Sequence, residues 1–376
     1  EEIIRKFKGR RDRLLDIARD LYLVVSKKVD VVGTDKKDYF EVVRLNNEET
    51  VVRLYDPNKE DKRHELIYER TFKSSETKEI ILYGLGGEDE FELAGQVEEG
   101  ILIRCVGGQD EDTFIDHSIV SGLSKKTRFY DSKKENHLER GTEAADKTTN
   151  RREFNIYNRR ALHYEYNYAM PIPVLGFQPD DGFFAGLTLQ FIRYGFQRSP
   201  YAQSHTVSGR YAFATSGYKF EYNGEYIYAL GKFDFLLDGR FHGPLFTINF
   251  FGLGNETGTP TEAQNEFDYN RVRQQLYGLY PGLRLRFKRN SFVSFQLLAE
   301  STKTEPTDGR FVALTDEVNP EVFDNQYFAG GELKYNLTST DHPQLPTRGV
   351  NFNLSGGYRL NLQETDRDHV YFSTDL

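Results

Sequence analysis

The chain has 376 residues but only one cysteine, one methionine and no tryptophan. A lone Cys105 excludes a disulfide scaffold and a cysteine-built zinc site. No stretch approaches the ~18 consecutive apolar residues that a membrane-crossing helix needs. Positive charge is the minority sign, 49 Lys+Arg against 58 Asp+Glu for a net charge of -9. Nucleic-acid partners are therefore not expected, because their binding surfaces are basic. A secretory leader is missing, and Met170 is the sole methionine in a chain whose first residue is Glu1, so the sequence reads as a piece of a longer or processed protein. Signatures of catalysis are also missing: there is no His-Glu-x-x-His, no phosphate-binding Gly-Lys-Ser/Thr loop and no Gly-x-Ser-x-Gly elbow. The 8 histidines are scattered, and His117 beside Asp116 and His342 beside Asp341 read as solvated turn residues. The expectation is a chain that is not an enzyme and has no catalytic residue, any active site lying before Glu1.

Aromatic residues are plentiful and unevenly placed. Residues 1–150 hold 12 Phe and Tyr and residues 151–376 hold 41, while the charge thins in the same direction. That shift separates an amphipathic helix over 1–28, a β-rich domain over 29–145, a polar linker over 146–160 and a second domain over 161–376. In the first domain, Tyr39–Leu45, Thr50–Tyr55, Leu66–Phe72, Glu79–Tyr83 and Ile101–Val106 alternate as short strands. A weak repeat relates Tyr83–Phe91 to Arg104–Phe114, each a strand, a Gly-Gly turn and a run of acids. The pattern is similar to the calcium-binding nonapeptide of parallel β-rolls. It makes Asp110, Asp112 and Asp116 candidate calcium ligands, against the plainer reading of two stacked strand-turns with solvated carboxylates.

Beyond residue 160 the period is two. Tyr218, Phe220, Tyr222 and Tyr226 alternate with Lys219, Glu221, Asn223 and Glu225, and Leu283, Leu285 and Phe287 alternate with Arg284, Arg286 and Lys288. Leu333, Tyr335 and Leu337 oppose Glu332, Lys334 and Asn336 in the same way. The spacing predicts ten strands, near 163–177, 182–195, 203–214, 218–229, 232–252, 270–288, 291–300, 326–338, 349–362 and 369–376. Alternation alone fits a soluble sandwich as well as a membrane barrel. Long segments and aromatic residues near their ends (Tyr194, Phe196, Tyr201, Tyr226, Tyr280) favour the barrel. So do the long connections 253–269 and 301–325, both after odd-numbered strands, with compact ones at Gly231, Arg289-Asn290 and Ser339–Arg348 after even ones. The expected fold is mainly all-β, an antiparallel transmembrane β-barrel preceded by a helix and a small β-rich domain. Lys219, Glu221, Glu225, Arg284, Arg286, Glu332 and Lys334 would face its lumen, Arg284 and Arg286 meeting Glu332 and Lys334 there, although cross-strand pairing explains these charges equally well.

The run Asp341-His342-Pro343-Gln344-Leu345-Pro346-Thr347-Arg348-Gly349 resembles a periplasmic turn of the BamA/TamA-type outer-membrane assembly barrels, the bacterial surface antigen superfamily. Gly176–Phe183 is similar to the first hairpin of that group, and Phe251–Thr257 to a loop start in its Bacteroidota members. Tyr83–Phe91 resembles the periplasmic region that, in some relatives, follows a calcineurin-like metallophosphoesterase. The turn residues Asp341, Pro346, Thr347, Arg348 and Gly349 carry the likeness, and read alone they make an ordinary β-turn. The superfamily's Arg-Gly-Phe/Tyr lumen motif and its POTRA repeats do not appear. The resemblance implies a sixteen-stranded barrel in the outer membrane of a Gram-negative bacterium, with the N-terminal part in the periplasm. It also implies a role in inserting or transporting other outer-membrane proteins or lipids, with lipid and periplasmic proteins as partners and no cofactor. A passive porin-like channel and a soluble calcium-binding adhesin module are the competing expectations.

Overall fold

The computed structural model describes residues 1–134, 136–159, 165–252, 266–288, 291–316, 318–342, 345–363 and 367–375. The chain divides into two compact units, Glu1–Tyr164 and Glu165–Leu376.

Unit 1 opens with α1 (Glu2–Asp12) and α2 (Leu14–Val25), joined at Arg13. The expected single helix is thus two. Its strands are β1 (Lys28–Val32), β2 (Tyr39–Arg44), β3 (Glu49–Asp56), β4 (Glu65–Lys73), β5 (Glu79–Gly86), β6 (Glu90–Ala94), β7 (Gln96–Val97), β8 (Leu102–Gln109), β9 (Thr113–Asp116), β10 (Ile119–Val120), β11 (Thr127–Tyr130), β12 (His137–Arg140) and β13 (Ala144–Asp146). One sheet has the order β1-β5-β8-β11-β13, and all its pairings are parallel. The other runs β12-β9-β6-β2-β3-β4, parallel through β2, with β3 and β4 added as an antiparallel hairpin.

The chain therefore coils, each rung placing one strand in each sheet. Four rungs stack, where two copies of a repeat were expected. Each rung turns at the same pattern: Gly33 to Asp38 and Phe40, Gly84 to Asp89 and Phe91, Gly107 to Asp112 and Phe114, Asp131 to Asn136 and Leu138. In the first three rungs glycine is required because the aspartate of the same rung folds back onto it. A Cβ on Gly84 would stand 2.0 Å from Asp89 Oδ2, and one on Gly107 2.1 Å from Asp112 Oδ2. Two residues past the aspartate, Phe40, Phe91 and Phe114 stack at 4.7 and 5.0 Å between ring centres, and Phe129 from the facing sheet closes the column at 5.0 Å. All four are fully buried in one core with Ile80, Leu82, Ile103 and Cys105. The stretch expected as a linker is fastened down over much of its described length. Lys147 and Thr149 donate their N–H groups to the carbonyls of Phe129 and Asp131 at 2.8 and 2.7 Å. A 3-10 turn, Arg152–Asn155, follows.

Unit 2 is one ten-stranded sheet in sequence order: β14 (Tyr168–Gln178), β15 (Gly182–Gly195), β16 (Arg198–Ala212), β17 (Tyr218–Leu230), β18 (Phe233–Asn249), β19 (Arg271–Lys288), β20 (Ser291–Glu305), β21 (Gln326–Thr340), β22 (Gly349–Asn361) and β23 (His369–Asp375). Every pairing is antiparallel, so the ten expected strands are present as a meander. Two short helices, α3 (Glu266–Tyr269) and α4 (Phe311–Leu314), sit in the two long connections. The expected turn Arg289-Asn290 and residues 253–265 of the long loop lie outside the described residues. Among the described residues β14 pairs only with β15 and β23 only with β22, so the sheet is open at both edges.

Candidate functional site: the polar face of the ten-stranded sheet

Period-two sequence gives a sheet with two unlike faces. One carries Phe177, Phe191, Phe220, Phe241, Leu283, Leu333 and Phe372, all exposed, Phe177 at 73% and Phe372 at 70%. The other carries Asp234, His242, Ser294, Glu300, Thr304 and Asn361, all buried, Asp234 at 0%. A water-soluble sheet does the reverse, hiding its apolar face and wetting its polar one. Three of the aromatic residues expected near the strand ends are turned away from the apolar face or shielded. Tyr201 and Tyr280 donate to Glu225 and Glu300, and Phe196 is buried.

On the polar face the charges are paired. Arg284 grips Glu225 with both terminal nitrogens at 3.1 and 3.0 Å, and its Nε donates to Asp234 at 3.0 Å. Arg286 donates to the same Asp234 oxygen at 2.6 Å. Asp234 and Arg284 are direct cross-strand partners in the β18–β19 register. Further along, Arg359 meets Glu300 at 3.1 Å, and Glu332 takes Lys334 at 2.5 Å and the Tyr371 hydroxyl at 2.8 Å. Glu221 bonds His242 at 2.9 Å, and burial strips water from Lys219 on the same face.

All seven charges expected to share a face do share it, but they do not form one cluster. Arg284 and Arg286 pair with Glu225 and Asp234, while Glu332 and Lys334 pair with each other. Sequence reasoning missed Asp234, Glu300, Arg359 and Tyr371. Their alternation with apolar neighbours was the available signal.

At one rim, Asp341 organises the turn between β21 and β22. Its carboxylate accepts the N–H groups of His342, Thr347 and Arg348 at 3.0, 3.0 and 3.1 Å and the Thr347 hydroxyl at 2.5 Å. These donors hold the exposed carboxyl down at about 2, the Thr347 hydroxyl contributing most. Gly349 has φ +136°, and a Cβ there would stand 2.2 Å from the Ser339 carbonyl oxygen, so only glycine fits. Pro346 is exposed, and Pro343 and Gln344 lie outside the described residues. Most of the loop start expected at Phe251–Thr257 lies outside them too.

Unit 1 has its own polar feature, a column of buried carboxyls at the rung turns. The Asp38 N–H donates to Asp89 Oδ1 at 2.8 Å, the Asp89 N–H to Asp112 Oδ1 at 2.9 Å, and the Asp112 N–H to Asn136 Oδ1 at 3.1 Å. One oxygen of Asp89 and one of Asp112 are thereby used, and Asp131 Oδ1 accepts the Ser132 N–H at 2.6 Å. The other oxygens of Asp89, Asp112 and Asp131 are buried without a hydrogen-bond partner. Burial pushes Asp89 up to about 8 and raises Asp112 and Asp131, the adjoining Asp131 adding to the rise at Asp112. The three candidate calcium ligands each serve a different partner. Asp110 accepts the Gly87 N–H at 3.2 Å, Asp112 that of Asp89, and Asp116 the N–H and hydroxyl of Ser118 at 2.9 and 2.6 Å. Among the described residues no group of three or more His, Cys, Asp or Glu is placed to hold a metal ion.

The chain matches no family model. A search of the curated proteins gives no match either.

Proposed function

We propose that unit 2 is part of an outer-membrane β-barrel of the assembly or translocation type, with unit 1 in the periplasm of a Gram-negative bacterium. One observation carries the membrane reading: large apolar side chains are exposed on one face along the sheet, while Asp234, His242, Ser294, Glu300, Thr304 and Asn361 are buried on the other. A contiguous apolar surface of that extent is costly in water and favourable in hydrocarbon. Strands of up to 18 residues are long enough to cross at a tilt. Lipid tolerates no unpaired backbone edge, so β14 and β23 would have to be joined by further strands or by a partner chain. The assembly role rests on the resemblance of the Asp341–Gly349 turn and the Gly176–Phe183 hairpin to BamA/TamA-type barrels.

A passive channel is the second reading, favoured by the rows of Arg, Lys, Asp and Glu along the polar face. Semi-native electrophoresis tests the shared architecture: the detergent-extracted chain should change mobility on heating, and a monomer soluble without detergent would overturn it. Conductance separates the two functions. A steady open current, with no loss of other barrels when the protein is depleted, would replace assembly with passive transport.

A further inference from the structure

We propose that α1 and α2 form an interfacial helix that binds an anionic phospholipid surface. Neither helix contributes a buried residue. Ile3, Phe7, Leu14, Ile17 and Leu21 are between 52% and 69% exposed, although each is large and apolar. The Tyr22 hydroxyl ties α2 to the rest of unit 1, donating to Glu76 at 2.6 Å.

The arrangement of charge identifies the occupant. At about 3.6 residues per turn, those five apolar residues fall on one side, with Ile4, Leu15 and Tyr22 widening it. Lys6 and Arg13 lie along one border of that face and Lys8 and Arg19 along the other, while Arg10 and Arg11 fall within it. Asp12, Asp16 and Asp20 lie opposite. Cations bordering an apolar face let their alkyl stems lie in the acyl region while their heads reach phosphate. Acids facing away from the surface avoid repulsion by it. Basic residues also dominate the first 13 positions, six Lys/Arg against three Asp/Glu. A second copy of the chain fits less well. A two-helix seam needs a narrow, unbroken apolar stripe, and here the face is wide and Arg11 interrupts it between Phe7 and Leu14.

The test uses the full chain. Cys105 is fully buried, so a cysteine introduced at Leu21→Cys or Asp20→Cys can be labelled selectively with an environment-sensitive fluorophore. In vesicles of phosphatidylethanolamine and phosphatidylglycerol, the label at position 21 should shift to the blue and be quenched by a lipid-borne quencher. The label at position 20 should do neither. Replacing phosphatidylglycerol by phosphatidylcholine, or adding Leu14→Asp, should cut the quenching at position 21 several-fold. A water-exposed label at position 21 in anionic vesicles overturns the proposal. So does lipid-independent burial of that label, or concentration-dependent disulfide formation between copies of Leu21→Cys. Heat-modifiable mobility of the same samples reports unit 2 separately, so failure of the helix and failure of the barrel reading are distinguishable.

Discussion

Rings of the same chemistry are treated in opposite ways by the two units. In unit 1, Phe40, Phe91 and Phe114 are stacked and sealed between two sheets. In unit 2, Phe177, Phe220 and Phe372 are exposed, while Asp234, Glu300, His242, Ser294 and Thr304 are buried. Each rung covers the next, so unit 1 makes its own apolar interior from distant chain segments, Phe91 stacking on both Phe40 and Phe114. A single sheet has no second layer to cover its apolar face; on the proposed membrane reading, hydrocarbon covers it.

The sharpest attempt to break this contrast replaces one residue of each kind. Phe114→Ala should destabilise unit 1 by about 3–5 kcal/mol, read from its unfolding transition, because it opens a cavity in a fully packed column. Leu283→Arg, on the exposed face of unit 2, should cost about 2–4 kcal/mol in lipid, measured by refolding into vesicles. A water-facing site would tolerate the same change to within about 0.5 kcal/mol. Asp234→Asn probes the other face. It removes the charge that Arg284 and Arg286 share, at a cost of about 1.5–3 kcal/mol in the same refolding assay.

Protonation sharpens the contrast from the side of unit 1. Asp89 keeps its proton in the fold up to about 8, whereas the unfolded carboxyl releases it near 3.8. Between those values the native state binds the extra proton, so the stability of unit 1 falls as pH rises and levels off above the folded value. Asp89→Asn supplies a permanent donor in place of the proton, as Asn136 does in the fourth rung, and should reduce that slope in melting curves taken from pH 4 to pH 9, the remainder belonging to Asp112 and Asp131. Smallest of all, Asp341→Ala should loosen only the 341–349 turn, seen as faster proteolytic nicking there with the unit 2 transition unmoved.

Unit 2 was legible because antiparallel neighbours are adjacent in sequence and a period of two assigns each residue to a face. Lys219, Glu221, Glu225 and Arg284 could therefore be placed on one side without coordinates. Their actual partners could not, since the β17–β18–β19 register decides whether Arg284 meets Asp234 or a more distant acid. Unit 1 was legible only in fragments. Its rung strands, from four to eight residues long, pair with others a full rung away, and that spacing is invisible to a local pattern. Asp131 stands where three rungs have glycine, and the Lys36-Lys37 turn lacks the Gly-Gly signal, so the first and fourth copies were hidden. Sequence does not reveal that a carboxyl folds inward onto a glycine, so these acids resemble solvated or calcium-binding ones until the rungs are stacked.

Which solvent meets the apolar face of unit 2 is asked directly by a cysteine scan along β19. Labels at 279 and 283 should be quenched by a lipid-borne quencher in reconstituted vesicles, and labels at 280 and 284 only by a water-soluble one. Equal quenching at neighbouring positions, or shielding of 279 and 283 from both quenchers, would contradict the membrane reading.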